Sequence, residues 1–86
     1  MDREKQKIES VKAVIIGMAE FLESTSGALP FMEEHDKAMF RTLEARITQG
    51  RSDIIRWVKR YQLADWYIEK YNTDSTYAYM EPEDLK

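Results

Sequence analysis

Apolar residues near the start of the chain recur at helical intervals for about four turns. Ile8, Val11, Ile15, Met18 and Leu22 follow one another at steps of three and four residues. Residues spaced in this way share one face of an α-helix, because the helix turns once in about 3.6 residues. We therefore expect a helix over residues 2–24, with this face buried against another element.

A second side of the same predicted helix carries small residues. Ser10, Ala13 and Gly17 come together there when successive residues are placed about 100° apart. Small side chains let the backbone of a neighbouring element approach closely. The sequence therefore favours close packing of a second helix on this side.

A second helix is predicted over residues 29–49. The run Ser-Thr-Ser-Gly at residues 24–27 interrupts the periodic pattern, and a glycine there suits a helix end. Pro30 fits the first turn of the next helix, where its missing N–H leaves no hydrogen bond unmade. The apolar residues that form the inner stripe of this helix are Met32, Met39, Phe40, Leu43 and Ile47.

A third helix is predicted over residues 52–72, capped by Ser52 or Asp53 after the turn at Gly50. The core-facing stripe assigned to it contains Ile54, Trp57, Val58, Tyr61, Ala64, Ile68 and Tyr71. The fold class expected is all-α, a three-helix bundle formed by residues 1–72.

Residues 73–86 are expected to form an acidic, non-helical tail, extended or partly packed on the bundle. Asp74, Glu81, Glu83 and Asp84 lie there against Lys86 alone, which accounts for the whole net charge of −3. Tyr77 and Tyr79 alternate as in an extended strand, and we expect one of them to pack on the bundle. The remaining residues are electrically neutral, so the sequence lacks the overall basic charge of many nucleic-acid-binding proteins.

No residue pattern indicates catalysis, a metal or a cofactor. The chain has no cysteine, which excludes disulfides and thiolate ligands. Its single histidine, His35, has Phe31, Met32, Ala38 and Met39 at the helical positions beside it, so no carboxylate is spaced to share a metal. We expect a non-enzymatic protein without cofactor. The charged start of the chain, the lack of a membrane-length apolar run and the absence of cysteine favour the cytoplasm.

The outer face of the third helix is the candidate partner-binding surface. Basic and apolar side chains alternate there without an acidic residue, an unusual composition for a face that is merely solvated. The residues assigned to this surface are Ile55, Arg56, Lys59, Arg60, Leu63, Trp66, Tyr67 and Lys70. Aromatic residues and arginine are enriched at protein interfaces, so the sequence predicts a small protein-binding regulator or inhibitor, with a partner that presents an acidic surface.

Other interpretations of the same face remain open. The third helix could be buried on two sides, with the tail or a second copy covering Leu63 and Trp66, and a homodimer through this face is expected. The basic residues could instead bind nucleic acid, the alternative function. Small size and an aromatic, mixed-charge helix also suit an accessory protein of a phage or mobile element.

Overall fold

The computed structural model describes residues 2–73 and 76–86, and all regular secondary structure in these segments is helical. The all-α class predicted from the sequence is therefore confirmed. The helices, in chain order, are α1 (Arg3–His35), α2 (Lys37–Arg60), α3 (Ala64–Tyr71) and α4 (Pro82–Leu85). These bounds differ from the predicted 2–24, 29–49 and 52–72, and the predicted three-helix bundle is not confirmed. Asp74 of the predicted acidic tail lies outside the described residues.

Helix α1 continues through the segment where the sequence predicted a break. Asp2 caps its start, since the Asp2 carboxylate accepts hydrogen bonds from the backbone N–H groups of Glu4 and Lys5 at 3.0 and 3.3 Å. The Ser24 hydroxyl bonds within the helix, donating to the carbonyl of Glu20 at 3.1 Å. Gly27 has no positive φ, and Pro30 lies inside the helix instead of opening a new one.

A single residue, Asp36, separates α1 from α2. Its backbone is extended, with φ −154° and ψ 92°, and its N–H donates to the Met32 carbonyl at 2.8 Å. Its carboxylate accepts a hydrogen bond from the Met39 N–H at 3.0 Å, so the same residue ends one helix and caps the next.

The two long helices form an antiparallel hairpin, which we call the α1–α2 hairpin, with its tip at Asp36. A helix of 33 residues is about 50 Å long, and the molecule measures 51 Å along its greatest dimension. Gly50 allows the helices to approach closely, because a Cβ there would lie 3.3 Å from Cδ2 of Leu22. The predicted helix end at Gly50 is therefore wrong, because α2 continues through this residue. The lack of a side chain at Gly50 leaves room for Leu22 of α1.

The hydrophobic core lies entirely at the open end of the hairpin, away from Asp36. The buried core residues are Ile15, Ala19, Leu22, Ile54, Val58, Leu63, Tyr67, Ala78, Met80 and Leu85. Between Leu22 and Ile54 no residue is buried, although all of this segment is described. The half of the hairpin that includes the tip is therefore an arm of two helices without a third layer.

Residues 76–81 pack on the hairpin and are held by side chains from three helices. Arg51 donates to the carbonyls of Tyr77 and Tyr79 at 3.0 and 2.8 Å, and the Glu23 carboxylate accepts from the Ala78 N–H at 2.9 Å. Ala78 is buried, whereas the tyrosine on each side of it is exposed. The alternation expected from the sequence is present, with Ala78 and Met80 buried and Tyr77 and Tyr79 exposed, so the segment contributes to the core through Ala78 and Met80.

The last turn of the chain is helical, so the prediction of a non-helical tail is wrong for residues 82–85. Pro82 begins the short helix α4, where its ring and missing N–H are tolerated, and Leu85 is buried in the core. In the described part of the chain, no helix is both long and apolar enough to cross a membrane.

Candidate protein-binding groove

The structure does not bring the eight predicted partner-binding residues to one surface. Arg56, Lys59, Arg60 and Lys70 are exposed, Ile55 and Trp66 are half-buried, and Leu63 and Tyr67 are buried. The predicted helix over 52–72 is two helices, so the face assigned to it is not continuous. Leu63 and Tyr67 are in the core. For Leu63, this agrees with the alternative in which the third helix is buried on two sides.

The break between α2 and α3 is a hydrogen-bonded helix end that uses glutamine. Gln62 has a φ of 56°, in the left-handed region that usually favours glycine. The N–H of Leu63 donates to the Val58 carbonyl at 2.9 Å, and that of Gln62 donates to the Lys59 carbonyl at 3.3 Å. Leu63 and Val58, brought together by these bonds, are both buried. This pattern is a Schellman motif, and without a glycine its position was not visible in the sequence.

Tyr67 is turned into the core by the new direction of α3. Its hydroxyl donates to the carbonyl of Ala78 at 2.5 Å, and its ring centroid lies 4.7 Å from that of Tyr71. Burial raises the pKa of the Tyr67 phenol well above its usual range, and proximity to Tyr71 adds to this rise. The residue therefore fixes residues 76–81 to α3 instead of meeting a partner.

An apolar groove runs along the surface between α1 and α2. It has two sections, with cavity volumes of about 330 and 440 Å³, and Val14 lines both. The first section is lined by Lys7, Ser10, Val11, Val14, Ile15, Trp57 and Tyr61. The second is lined by Val14, Gly17, Met18, Phe21, Arg46, Gln49, Gly50 and Asp53. All these residues belong to the hairpin, so α3, residues 76–81 and α4 leave the groove uncovered.

Two aromatic rings with cations around them line the first section of the groove, near the open end of the hairpin. The rings of Trp57 and Tyr61 are stacked, with centroids 6.1 Å apart and planes inclined by 17°. The guanidinium of Arg60 is 5.7 Å from the Trp57 ring centroid, and Lys7 Nζ is 5.5 Å from that of Tyr61. Arg56 also lies beside Trp57, at 5.7 Å. These contacts orient the cations at the groove without removing their charge.

The border of the groove is electrically positive. Of the acidic residues that the structure describes, Asp53 is the one that lines it, and its carboxylate already accepts hydrogen bonds from Arg56 and Gln49, both at 2.9 Å. Lys7, Arg46 and Arg60 have no ion-pair partner among the described residues. We call these three residues the rim cations.

The sequence interpretation assigned the groove residues to other roles. Trp57 and Tyr61 were placed on the core-facing stripe; both pack against the core, but they are half-buried and also line the groove. The feature of the sequence that could have located the groove is the small-residue side of the first helix. Ser10 and Gly17 lie there and were expected to allow a second helix to pack closely. In the structure they border open space, and an added Cβ at Gly17 would meet nothing within 4 Å.

In the described segments, no group of three or more histidine, aspartate or glutamate side chains is arranged to hold a metal ion. Comparison with known proteins gives no match to a family, to a curated protein or to a solved structure.

Proposed function

We propose that the chain is a small protein-binding module, a regulator or inhibitor, which holds its partner in the groove between α1 and α2. The observation that carries the proposal is the exposure of apolar side chains along α1, where Val14 is 59% and Phe21 is 37% exposed. Both line a continuous groove together with Trp57 and Tyr61. Contiguous apolar surface of this kind marks interaction sites, because burying it against a partner is favourable.

The total surface of the chain supports an unfilled contact. A folded monomer of 10.2 kDa is expected to expose about 5300 Å², whereas this chain exposes 6173 Å². The excess, on the order of 850 Å², is close to the area that one partner contributes to a standard protein interface. The long hairpin, covered on one side and only at its open end, is the physical source of this excess.

Trp57 and Tyr61 are the anchors of the proposed contact. Tryptophan, tyrosine and arginine are the residues most enriched at the energetic centres of interfaces. Of the eight residues predicted from the sequence, Arg56 and Arg60 border these rings and keep a role in the proposal. Binding would act by occlusion or scaffolding, and the chain itself would supply no catalytic group.

Site-specific photo-cross-linking tests the proposal. A benzophenone amino acid at position 14 should cross-link to a partner in cells that produce the chain, because Val14 lines both groove sections. The same group at position 31 is the control, since Phe31 is 67% exposed but does not line the groove. The position-14 product should disappear in a Trp57→Ala background and persist with Trp66→Ala. A product from position 31 alone would show that the groove is not the binding surface.

Nucleic-acid binding through the exposed cations is the alternative function. It is favoured by Lys59 and Arg60, which are exposed near Trp57 at the end of α2. If this alternative holds, a single-stranded oligonucleotide should bind with an affinity that falls steeply with salt, as phosphate contacts release counterions. No binding at low salt would remove it.

A further inference from the structure

Building on the proposed function, we infer that the partner segment in the groove is an amphipathic α-helix with acidic residues beside its apolar stripe. The inference rests on three properties of the groove: its length, the small residues along it and the charge of its rim.

The length and direction of the groove fit a helix. It follows the axes of two antiparallel helices and extends from Lys7 to Phe21 along α1. This distance corresponds to about 20 Å, or about four turns of a third helix lying alongside. An amphipathic helix places apolar residues along such a groove at every third and fourth position.

Small residues at the groove allow a helix to lie close to the hairpin. Ser10 and Gly17 of α1 and Gly50 of α2 all line it. Because these residues lack bulky side chains, the apolar side chains of a third helix can fill the space between Val14, Phe21 and Trp57. The contact would add a third helix to the groove face of the hairpin.

The rim cations select the charge of that helix. Lys7 lies at one end of the groove, near Arg60, and Arg46 lies in its other section. The one acid in the lining, Asp53, is already bonded to Arg56 and Gln49. Glutamate or aspartate beside the apolar stripe of the incoming helix would find opposite charges along its length.

A second copy of the chain complements the groove less well. Two hairpins packed through this face would each present the same rim cations, with no unpaired acid in either groove lining. An acidic helix of another protein meets the same surface without like-charge repulsion. The expected homodimer therefore becomes the competing outcome of the test.

Designed peptides of about 20 residues test the inference on the full chain. One has leucines at every third and fourth position and glutamates beside them; the second replaces each glutamate by lysine; the third has the first composition in scrambled order. Isothermal titration calorimetry should show the glutamate peptide binding at least about tenfold tighter than the other two at low salt. The preference over the lysine peptide should shrink as salt screens the rim.

Variants of the chain identify where the peptide binds. Val14→Asp should abolish detectable binding. Because Val14 is exposed, we expect the variant to keep its fold, which circular dichroism checks. Arg60→Glu should weaken binding of the glutamate peptide by about tenfold, since it replaces attraction by repulsion. Arg41→Glu makes the same charge change at an exposed position of α2 outside the groove lining, and it should alter affinity less than about twofold.

The outcomes separate this inference from the proposed function. Equal binding of the glutamate and lysine peptides, or no binding of any peptide to a monomeric chain, would overturn the acidic helix as the partner. A dimer in light scattering that Val14→Asp dissociates would overturn it in favour of a second copy. The cross-link from position 14 independently decides whether the groove binds another protein.

Discussion

Tyr67 shows how one side chain joins the last part of the chain to the rest. Its ring is buried in the core, and its hydroxyl bonds to the carbonyl of Ala78 on the segment that crosses the hairpin. Sequence periodicity placed the same residue on an outer face, because the direction of α3 depends on the backbone of Gln62. The backbone conformation of Gln62, five residues earlier, thus decides whether Tyr67 lies in the core or on the surface.

Replacing Tyr67 by phenylalanine should destabilise the fold by about 1–2 kcal/mol, because the Ala78 carbonyl would lose its buried donor. Urea unfolding followed by circular dichroism measures the difference. Tyr77→Phe is the matched control, since Tyr77 is 55% exposed and its loss of a hydroxyl should change stability by less than about 0.5 kcal/mol. Equal effects of the two substitutions would contradict the buried hydrogen bond from the Tyr67 hydroxyl to Ala78.

The raised pKa of Tyr67 predicts a loss of stability in alkali. Unfolded tyrosines lose their protons near pH 10, whereas burial keeps Tyr67 protonated in the fold, so the unfolded state binds fewer protons above this pH. The free energy of unfolding should therefore fall as pH rises from about 10, by at most about 1.4 kcal/mol per pH unit for this group. Burial raises the pKa of Tyr71 too, which adds to the fall.

The Tyr67→Phe variant should lose stability less steeply over the same pH range, because it lacks the group with the largest shift. Chemical unfolding at several pH values between about 9 and 11 measures both slopes. Parallel curves for the parent and the variant would show that Tyr67 does not resist ionisation in the fold.

At the scale of elements, helix formation was predictable and helix ends were not. The apolar spacing of residues 8–22 is local information, and α1 forms where it indicates. The ends depend on features without a strong local signal. Pro30 is tolerated inside α1, Gly50 serves packing against Leu22, and Gln62 takes the conformation usually given to glycine.

The candidate site was predictable in composition but not in position. The sequence identified the aromatic and basic residues at the end of α2, and Arg56 and Arg60 do border the groove. It assigned Trp57 and Tyr61 to the core, against which both do pack. It did not show that both rings are also partly exposed in the groove, because the pattern alone does not show which sides of a helix other elements cover. Which sides are covered depends on how α3, residues 76–81 and α4 fold back, and the local spacing of apolar residues does not contain this information.

Substitutions at Gly27 and Pro30 test the continuity of α1. Within a helix, Gly27→Ala should raise stability by about 0.5–1 kcal/mol, and Pro30→Ala by up to about 3 kcal/mol. An added Cβ at Gly27 has open space, so no clash opposes the gain. If residues 24–27 ended a helix instead, Gly27→Ala would destabilise the chain and Pro30→Ala would have little effect. Thermal or chemical unfolding distinguishes the two results.

The whole molecule is elongated because α1 runs along its full length of 51 Å, whereas its other dimensions are 23 and 17 Å. Its Cα radius of gyration is 14.4 Å, whereas about 12 Å is expected for a compact chain of this length. The arm between Leu22 and Ile54 has no buried residue, so it extends beyond the core and gives the molecule its length.

Small-angle X-ray scattering should confirm this shape in solution. A monomer with the hairpin extended should have a radius of gyration near 14.4 Å and a maximum dimension near 51 Å, both slightly increased by side chains and hydration. A radius near 12 Å would mean that the tip folds back on the core and that the open arm is absent.

The two tryptophans provide the most direct test of the groove as the binding surface, because Trp57 lines it and Trp66 does not. Labelling with 5-fluorotryptophan gives one fluorine resonance for each, assigned with Trp57→Phe and Trp66→Phe. When the glutamate peptide, or a partner identified by cross-linking, is added, the resonance of Trp57 should shift and that of Trp66 should stay in place. A shift of Trp66 with Trp57 unchanged would contradict the account and return the contact to α3.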